Sequence, residues 1–144
     1  MADSPSKGSK VVKIISTSLV VIGIILSLLI FVGRKQMMGQ RYEVTAIESV
    51  NYSKGATEED AKKLGEVLIS QGYFNGKGAK NVLLMKDENG VVISFILNTR
   101  WDDPKVVGAL RNMAAAAAQE GIGNPVTLKL LDDNLNTKNE IVIE

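Results

Sequence analysis

From Ile14 to Val32 the chain reads IISTSLVVIGIILSLLIFV, nineteen residues without an ionisable side chain. Nothing else in the sequence restricts the outcome so severely. At about 1.5 Å per residue such a helix is roughly 28 Å long, close to the ~30 Å hydrocarbon core of a bilayer. Fourteen of its residues are Leu, Ile, Val or Phe, against three serines, one threonine and one glycine, so insertion into lipid is favourable. A buried helix of a soluble protein carries a polar stripe and capping residues, and this run has neither. The expectation is a transmembrane helix.

A cleaved secretory signal is the competing reading, because a basic tail precedes the run. The flank Phe31-Val32-Gly33-Arg34-Lys35-Gln36 is basic and lacks a small-x-small cleavage site, so the segment is expected to stay attached as a signal anchor of a single-pass protein. Lys7, Lys10 and Lys13 stand before the span and Arg34, Lys35 and Arg41 after it, which leaves the positive-inside rule nearly tied. The short lysine-bearing tail has the form of a signal-anchor n-region. The expected orientation therefore places the N-terminus in the cytoplasm and the C-terminal domain outside it. Within the span, Gly23 and Ser27 form a small-xxx-small pair suited to helix-helix contact, which makes a homo-oligomer one expectation.

Charge is unevenly spread. The first 41 residues hold six Lys or Arg against one Asp, a net of +5, whereas residues 42–144 carry a net of −4. The bases near the span suit anionic lipid headgroups, and the mildly acidic remainder argues against a nucleic-acid partner. The chain has neither cysteine nor histidine. Disulfides, thiolate or histidine-ligated metals, and Ser-His-Asp or Cys-His nucleophiles are thereby excluded, and no cofactor motif is present.

Residues 1–13 read as a disordered basic tail, 14–32 as the span, 33–41 as a juxtamembrane linker and 42–144 as one folded domain. That domain opens on β-favouring Tyr42, Val44, Val50 and Tyr52, read as one strand with its alternation broken at Ala46 and Ile47. Thr57 caps a helix whose apolar face is Ala61, Leu64, Gly65, Leu68 and Ile69 and which Gly72 ends. Asn75 to Lys80 has two glycines and two lysines, but no Ser or Thr follows the lysine and a strand comes next, so it reads as a surface loop rather than a phosphate loop. Two apolar runs joined by Asn89-Gly90 predict a central hairpin, with Lys86 opposite Ile93 and Leu84 opposite Phe95, at least partly covered on its second face. Asp103 and Pro104 start a second helix with Val107, Leu110, Ala114, Ala117 and Gly121 turned inward. Two more strands follow, around Val126 to Leu131 and Glu140 to Glu144. Residues 57–97 and 103–143 repeat one plan of cap, helix, strand, turn and strand, by duplication or by convergent design. The expected fold is α+β: a mainly antiparallel sheet of four or five strands with two helices on one face, in the order β-αββ-αββ.

The blocks GATEEDAKKLG, GYF, VLL, VVISF and WDDP resemble a small uncharacterised domain of bacterial proteins, often found near a transmembrane helix. The likeness runs from about Val50 to Glu144, and Ile93 interrupts the Val-Val-Ser-Phe block. It implies an α+β fold and a bacterial inner membrane, and no activity. Glu59 to Tyr73, with its Asp-Ala-x-x-Leu helix and Gly-Tyr exit, is also similar to SPOR peptidoglycan-binding domains, whose order is βαββαβ; here a final strand is added.

The expected function is that of a protein-interaction or accessory module of a membrane assembly, with the bilayer and a further, membrane-embedded protein as partners. Tyr73, Phe74 and Trp101, and the outer alanines Ala115 and Ala116, are its candidate surface. The alternative is an extracytoplasmic domain that binds cell-wall glycan or a small ligand beside Tyr52, Tyr73, Phe74 and Trp101. Asp102 and Asp103 are the only adjacent carboxylates at a distinctive position, and helix capping accounts for them, so catalysis is not expected.

Overall fold

The computed structural model describes residues 19–28 and 39–144. Residues 19–28 are helical and are denoted α1. The remainder divides into β1 (Gln40–Glu43), β2 (Glu48–Lys54), α2 (Glu58–Ser70), β3 (Lys80–Asp87), β4 (Gly90–Ile96), α3 (Pro104–Gln119), β5 (Val126–Leu131) and β6 (Thr137–Ile143). α1 and the elements from β1 to β6 belong to two separate units. Among the described residues no helix is long and apolar enough to cross a membrane. Residues 14–18 and 29–32 of the expected span lie outside the described residues, as do the tail and most of the linker.

In the larger unit the six strands form one sheet in the order in which the chain makes them, β1-β2-β3-β4-β5-β6. The sheet is mixed rather than mainly antiparallel: β1/β2, β3/β4 and β5/β6 are antiparallel, whereas β2/β3 and β4/β5 are parallel. The reason is connection length. A short turn returns the chain antiparallel, but a helix carries it back over the sheet to start the next strand in the same direction. The expected first strand is two strands, and its broken alternation is the turn between them. Val44 and Thr45 amides both donate to the Glu48 carbonyl (3.0 and 3.1 Å), so β1 begins at Gln40, inside the stretch read as linker.

Helix α2 starts as its sequence predicts. The Thr57 hydroxyl accepts from the Asp60 amide (3.2 Å) and the Asp60 carboxylate accepts from the Thr57 amide (3.0 Å), a reciprocal capping box. Gly72 leaves the helix at φ +79°, and the amides of Tyr73 and Phe74 fold back onto the Leu68 carbonyl (2.9 and 3.1 Å). Ile69, expected inward, is 50% exposed, while Val67 is buried. Helix α3 has Asp103 as N-cap and Pro104 in its first turn.

Both helices lie on one side of the sheet, because they touch each other and share a single core. α2 packs over β1 and β2, and α3 over β5 and β6. Leu64, Leu68, Leu110, Ala114 and Ala117 meet Val50, Val82, Leu84, Ile93, Phe95, Leu128 and Leu130 from the sheet. Alanines at 114 and 117 let α3 approach closely. On the other side of the sheet, Ser49, Asn51, Leu83, Ser94 and Leu131 are buried, although α2 and α3 both cross on the core side.

The central hairpin is displaced by two residues from its expected register: Lys86 faces Val91 and Leu84 faces Ile93, with Glu88-Asn89 as the turn. A shift of two keeps every side chain on its predicted face. Gly90 serves another purpose than the turn. It sits at φ +126°, and a Cβ there would lie 2.3 Å from the Pro125 carbonyl oxygen, which accepts from the Val91 amide (2.9 Å).

Candidate functional site

The most organised polar cluster in the domain surrounds Glu48, a residue that sequence reasoning missed. Glu48 begins β2 and is fully buried. One carboxylate oxygen accepts from the backbone amides of Asn75 (2.9 Å) and Gly76 (3.0 Å) and lies 3.7 Å from Lys80 Nζ. The other accepts from the Thr45 hydroxyl (3.1 Å). Burial pushes the carboxyl pKa up, but the amides of Gly76 and Asn75, the Thr45 hydroxyl and the Lys80 ammonium outweigh it and hold the group below its ordinary value. The glycine-bearing loop thus does receive an anion on its amides, and that anion is the protein's own carboxylate. The loop is not the plain surface connection it resembles in sequence. Only a pattern linking Glu48 to a distant Asn-Gly pair could have signalled this.

Lys80 closes the cluster. Its Nζ donates to the Tyr73 carbonyl (2.6 Å) and to Asn75 Oδ1 (3.2 Å), and lies 5.3 Å from the centroid of the Tyr73 ring. Tyr73 stacks edge-on against Phe95 (5.0 Å) and tilts against Phe74 (5.5 Å). Its burial, together with the nearby Glu48 charge, pushes the phenol up to about 12. Phe74 is 3% exposed and is part of the core.

Trp101 is placed separately, its indole N–H donating to the carbonyls of Leu97 (3.1 Å) and Leu131 (3.3 Å). Lys138 Nζ stands 5.4 Å from its ring centroid, and Asn139 donates to its carbonyl (2.9 Å). Tyr52 is elsewhere again, on β2, donating to Gln40 Oε1 (2.8 Å). Tyr73 and Phe74 are therefore brought together, but with Phe95 rather than with Trp101 or Tyr52. Ala115 and Ala116 are half-buried on α3. Gly23 and Ser27 lie one turn apart on α1, where the Ser27 hydroxyl donates to the Gly23 carbonyl (2.8 Å).

Asp103 is occupied as a helix cap. It accepts from the Lys105 amide (2.9 Å) and from two nitrogens of Arg100 (3.0 and 2.6 Å), the latter being the main reason its pKa falls below the ordinary value. Asp102 is exposed. An open groove of about 400 Å³ runs beside α2, lined by Glu59, Lys62, Lys63, Glu66, Val67, Ser70 and Glu120. Its lining carries both signs of charge. Among the described residues no group of three acidic side chains could hold a metal ion.

No family model, no curated protein and no solved structure matches this chain. The βαββαβ order associated with SPOR domains can be traced as β2-α2-β3-β4-α3-β5. In the ferredoxin-like form of that order the βαβ units are split by another strand, whereas here each helix joins two adjacent strands.

Proposed function

We propose that this is a single-pass membrane-anchored protein whose α+β domain, held outside the cytoplasm, is an interaction or accessory module of a membrane assembly. One observation carries the anchoring. All eight aliphatic residues of α1, on every side of the helix, are between 48% and 65% exposed, within the uncharged run from Ile14 to Val32. Such a surface is stable only where the surroundings are apolar as well. The one hydroxyl in α1 is satisfied within the helix, by the bond from Ser27 to Gly23, as a lipid-facing serine requires.

The domain works by contact. Its buried carboxylates Glu48 and Asp60 are bonded to its own amides and lysines, and Asp103 to its own cap and Arg100, which supports recognition over chemistry.

Alkaline extraction of membranes containing the full chain tests the anchor: the protein stays in the pellet and leaves only with detergent. Release into the alkaline supernatant refutes it. Trypsin added to sealed right-side-out vesicles cuts at exposed Lys77 or Arg100 if the domain is outside, and only after permeabilisation if it is not. Affinity capture from detergent extracts, with no partner recovered reproducibly, would count against the module reading while leaving the anchor standing.

A further inference from the structure

Strand β6 pairs with β5 along one side, and among the described residues no strand lies along the other. An open edge offers a row of main-chain donors and acceptors to any second strand, and natural sheets blunt such edges with short strands, charges, proline or bulges. β1, at the opposite edge, follows that practice: it has four residues, and its exposed Arg41 and Glu43 stand 3.8 Å apart. β6 follows it only in its first half, where Lys138, Glu140 and the irregularity facing Leu130 and Leu131 lie; the other end of this seven-residue strand, Ile141-Val142-Ile143, carries no charge, and Val142 is 55% exposed.

We infer that β6 is a self-pairing edge, through which two copies of this chain join antiparallel about a two-fold axis at Ile141. The register follows from side-chain chemistry. Asn139, Ile141 and Ile143 lie on the helix side of the sheet, and both isoleucines pack against the core. Directly opposed residues of an antiparallel pair share a face, so the core extends across the junction only if these three oppose one another.

An axis at Glu140 would set two carboxylates face to face. An axis at Val142 would set Glu140 against Glu144 of the second copy, and like charges in that position are destabilising. An axis at Asn139 would leave Val142 and Ile143 beyond the partner strand. With the axis at Ile141, Ile141 meets its own copy, Asn139 meets Ile143 and Glu140 meets Val142. Beyond these pairs Lys138, which the irregularity leaves without a partner on β5, comes near the oppositely charged Glu144 of the second copy; its side chain is 42% exposed and also stands 3.6 Å from Asp132.

A single strand pair buries little area, so the association of free domains is weak. This step rests on the membrane-anchor reading, because tethering both copies in one bilayer raises their effective concentration, on the order of millimolar for short linkers.

The native chain has no cysteine, so single substitutions report cleanly. Full-length Asn139→Cys, Glu140→Cys, Ile141→Cys and Val142→Cys variants are reconstituted in phosphatidylcholine vesicles, floated on a density gradient and oxidised with copper-phenanthroline. Opposed Cα atoms are about 4.5–5.5 Å apart, within disulfide range, so Ile141→Cys gives about tenfold more dimer than the other three. A mixture of Glu140→Cys and Val142→Cys chains gives the mixed dimer, which guards against loss of folding in the Ile141 variant.

Dominant coupling at 139, 140 or 142, or none at any position including the mixed pair, overturns the proposal. Vesicles that float without coupling sink the edge pairing and keep the anchor. Protein that fails to float yet couples at Ile141 keeps the pairing and sinks the anchor; failure of both readouts sinks both.

Discussion

Gly65 in α2 and Gly108 in α3 are both helical, and the same substitution is expected to act on them with opposite sign. Replacing a helix-interior glycine by alanine is worth about 0.5–1 kcal/mol through backbone entropy wherever the methyl group finds space. At Gly108 a Cβ meets nothing within 4 Å. At Gly65 it would lie 2.9 Å from Val44 Cγ2 and 3.8 Å from Tyr42 Cε1. Val44 cannot yield easily, because its amide and that of Thr45 are bonded to the Glu48 carbonyl and its side chain packs on the core. Overpacking of this kind costs about 1–3 kcal/mol.

Gly108→Ala is therefore expected to stabilise by about 0.5–1 kcal/mol, and Gly65→Ala to destabilise by up to about 2 kcal/mol once the entropy gain is subtracted from the clash. For a domain of this size about 1 kcal/mol moves Tm by roughly 4–8 °C, so the two variants separate clearly. Thermal and urea unfolding of the full chain in detergent, followed by the fluorescence of the single tryptophan, Trp101, reads both. If Gly65→Ala gained as much stability as Gly108→Ala, the close approach of α2 to the β1–β2 turn would be refuted. Adding Val44→Ala to Gly65→Ala should recover at least about 0.5 kcal/mol, the scale of coupling between touching residues.

Asp60→Ala removes the acceptor for both the Thr57 amide and Lys86 Nζ (2.8 Å), and is expected to cost about 2–4 kcal/mol, a cap plus a charge-assisted bond. Burial raises the Asp60 pKa, but the bonds from Lys86 and Thr57 outweigh it and hold it below 3.8. Its stabilisation is thus complete above the unfolded value and lost as pH falls through the folded one. Urea titrations at neutral pH and below the carboxylate range should show the deficit of the variant shrinking in acid, and an unchanged deficit would contradict the assignment. Tyr73, whose phenol ionises at about 12 instead of 10.0, favours the folded state below pH 10 and loses that contribution as pH rises towards 12, a span equivalent to about 2–3 kcal/mol. Tyr73→Phe should flatten the alkaline decline in stability, and an unaltered decline would place its cause elsewhere.

What could be read from sequence was local. Thr57 and Asp103 announce their helices because a cap is decided within three residues, and Ala61, Leu64 and Leu68 reveal a buried face through spacing alone. The period of two placed Val82, Leu84, Ile93 and Phe95 on the correct side even though the hairpin register was displaced. The displacement came from Gly90, which resembles half of a turn signal but is required by Pro125, thirty-five residues further along the chain. Long-range relations were illegible for the same reason. Nothing near Glu48 foretells that it will meet the amides of Asn75 and Gly76, and nothing in either helix states whether the strands it connects will be neighbours. The aromatic cluster was half legible: Tyr73 and Phe74 are neighbours in sequence and stay together, but that Phe74 enters the core, and whether Trp101 joins them, depends on where the strands end.

Because spatial order repeats chain order, assembly of this sheet requires no strand to be threaded between two others. As the polypeptide emerges during synthesis, each hairpin meets a surface already built by the preceding one, and growth proceeds outward in one direction, like a zip closing from its first tooth. Among the described strands β6 arrives last, so its free border exists only after the whole layer beneath it has been laid down.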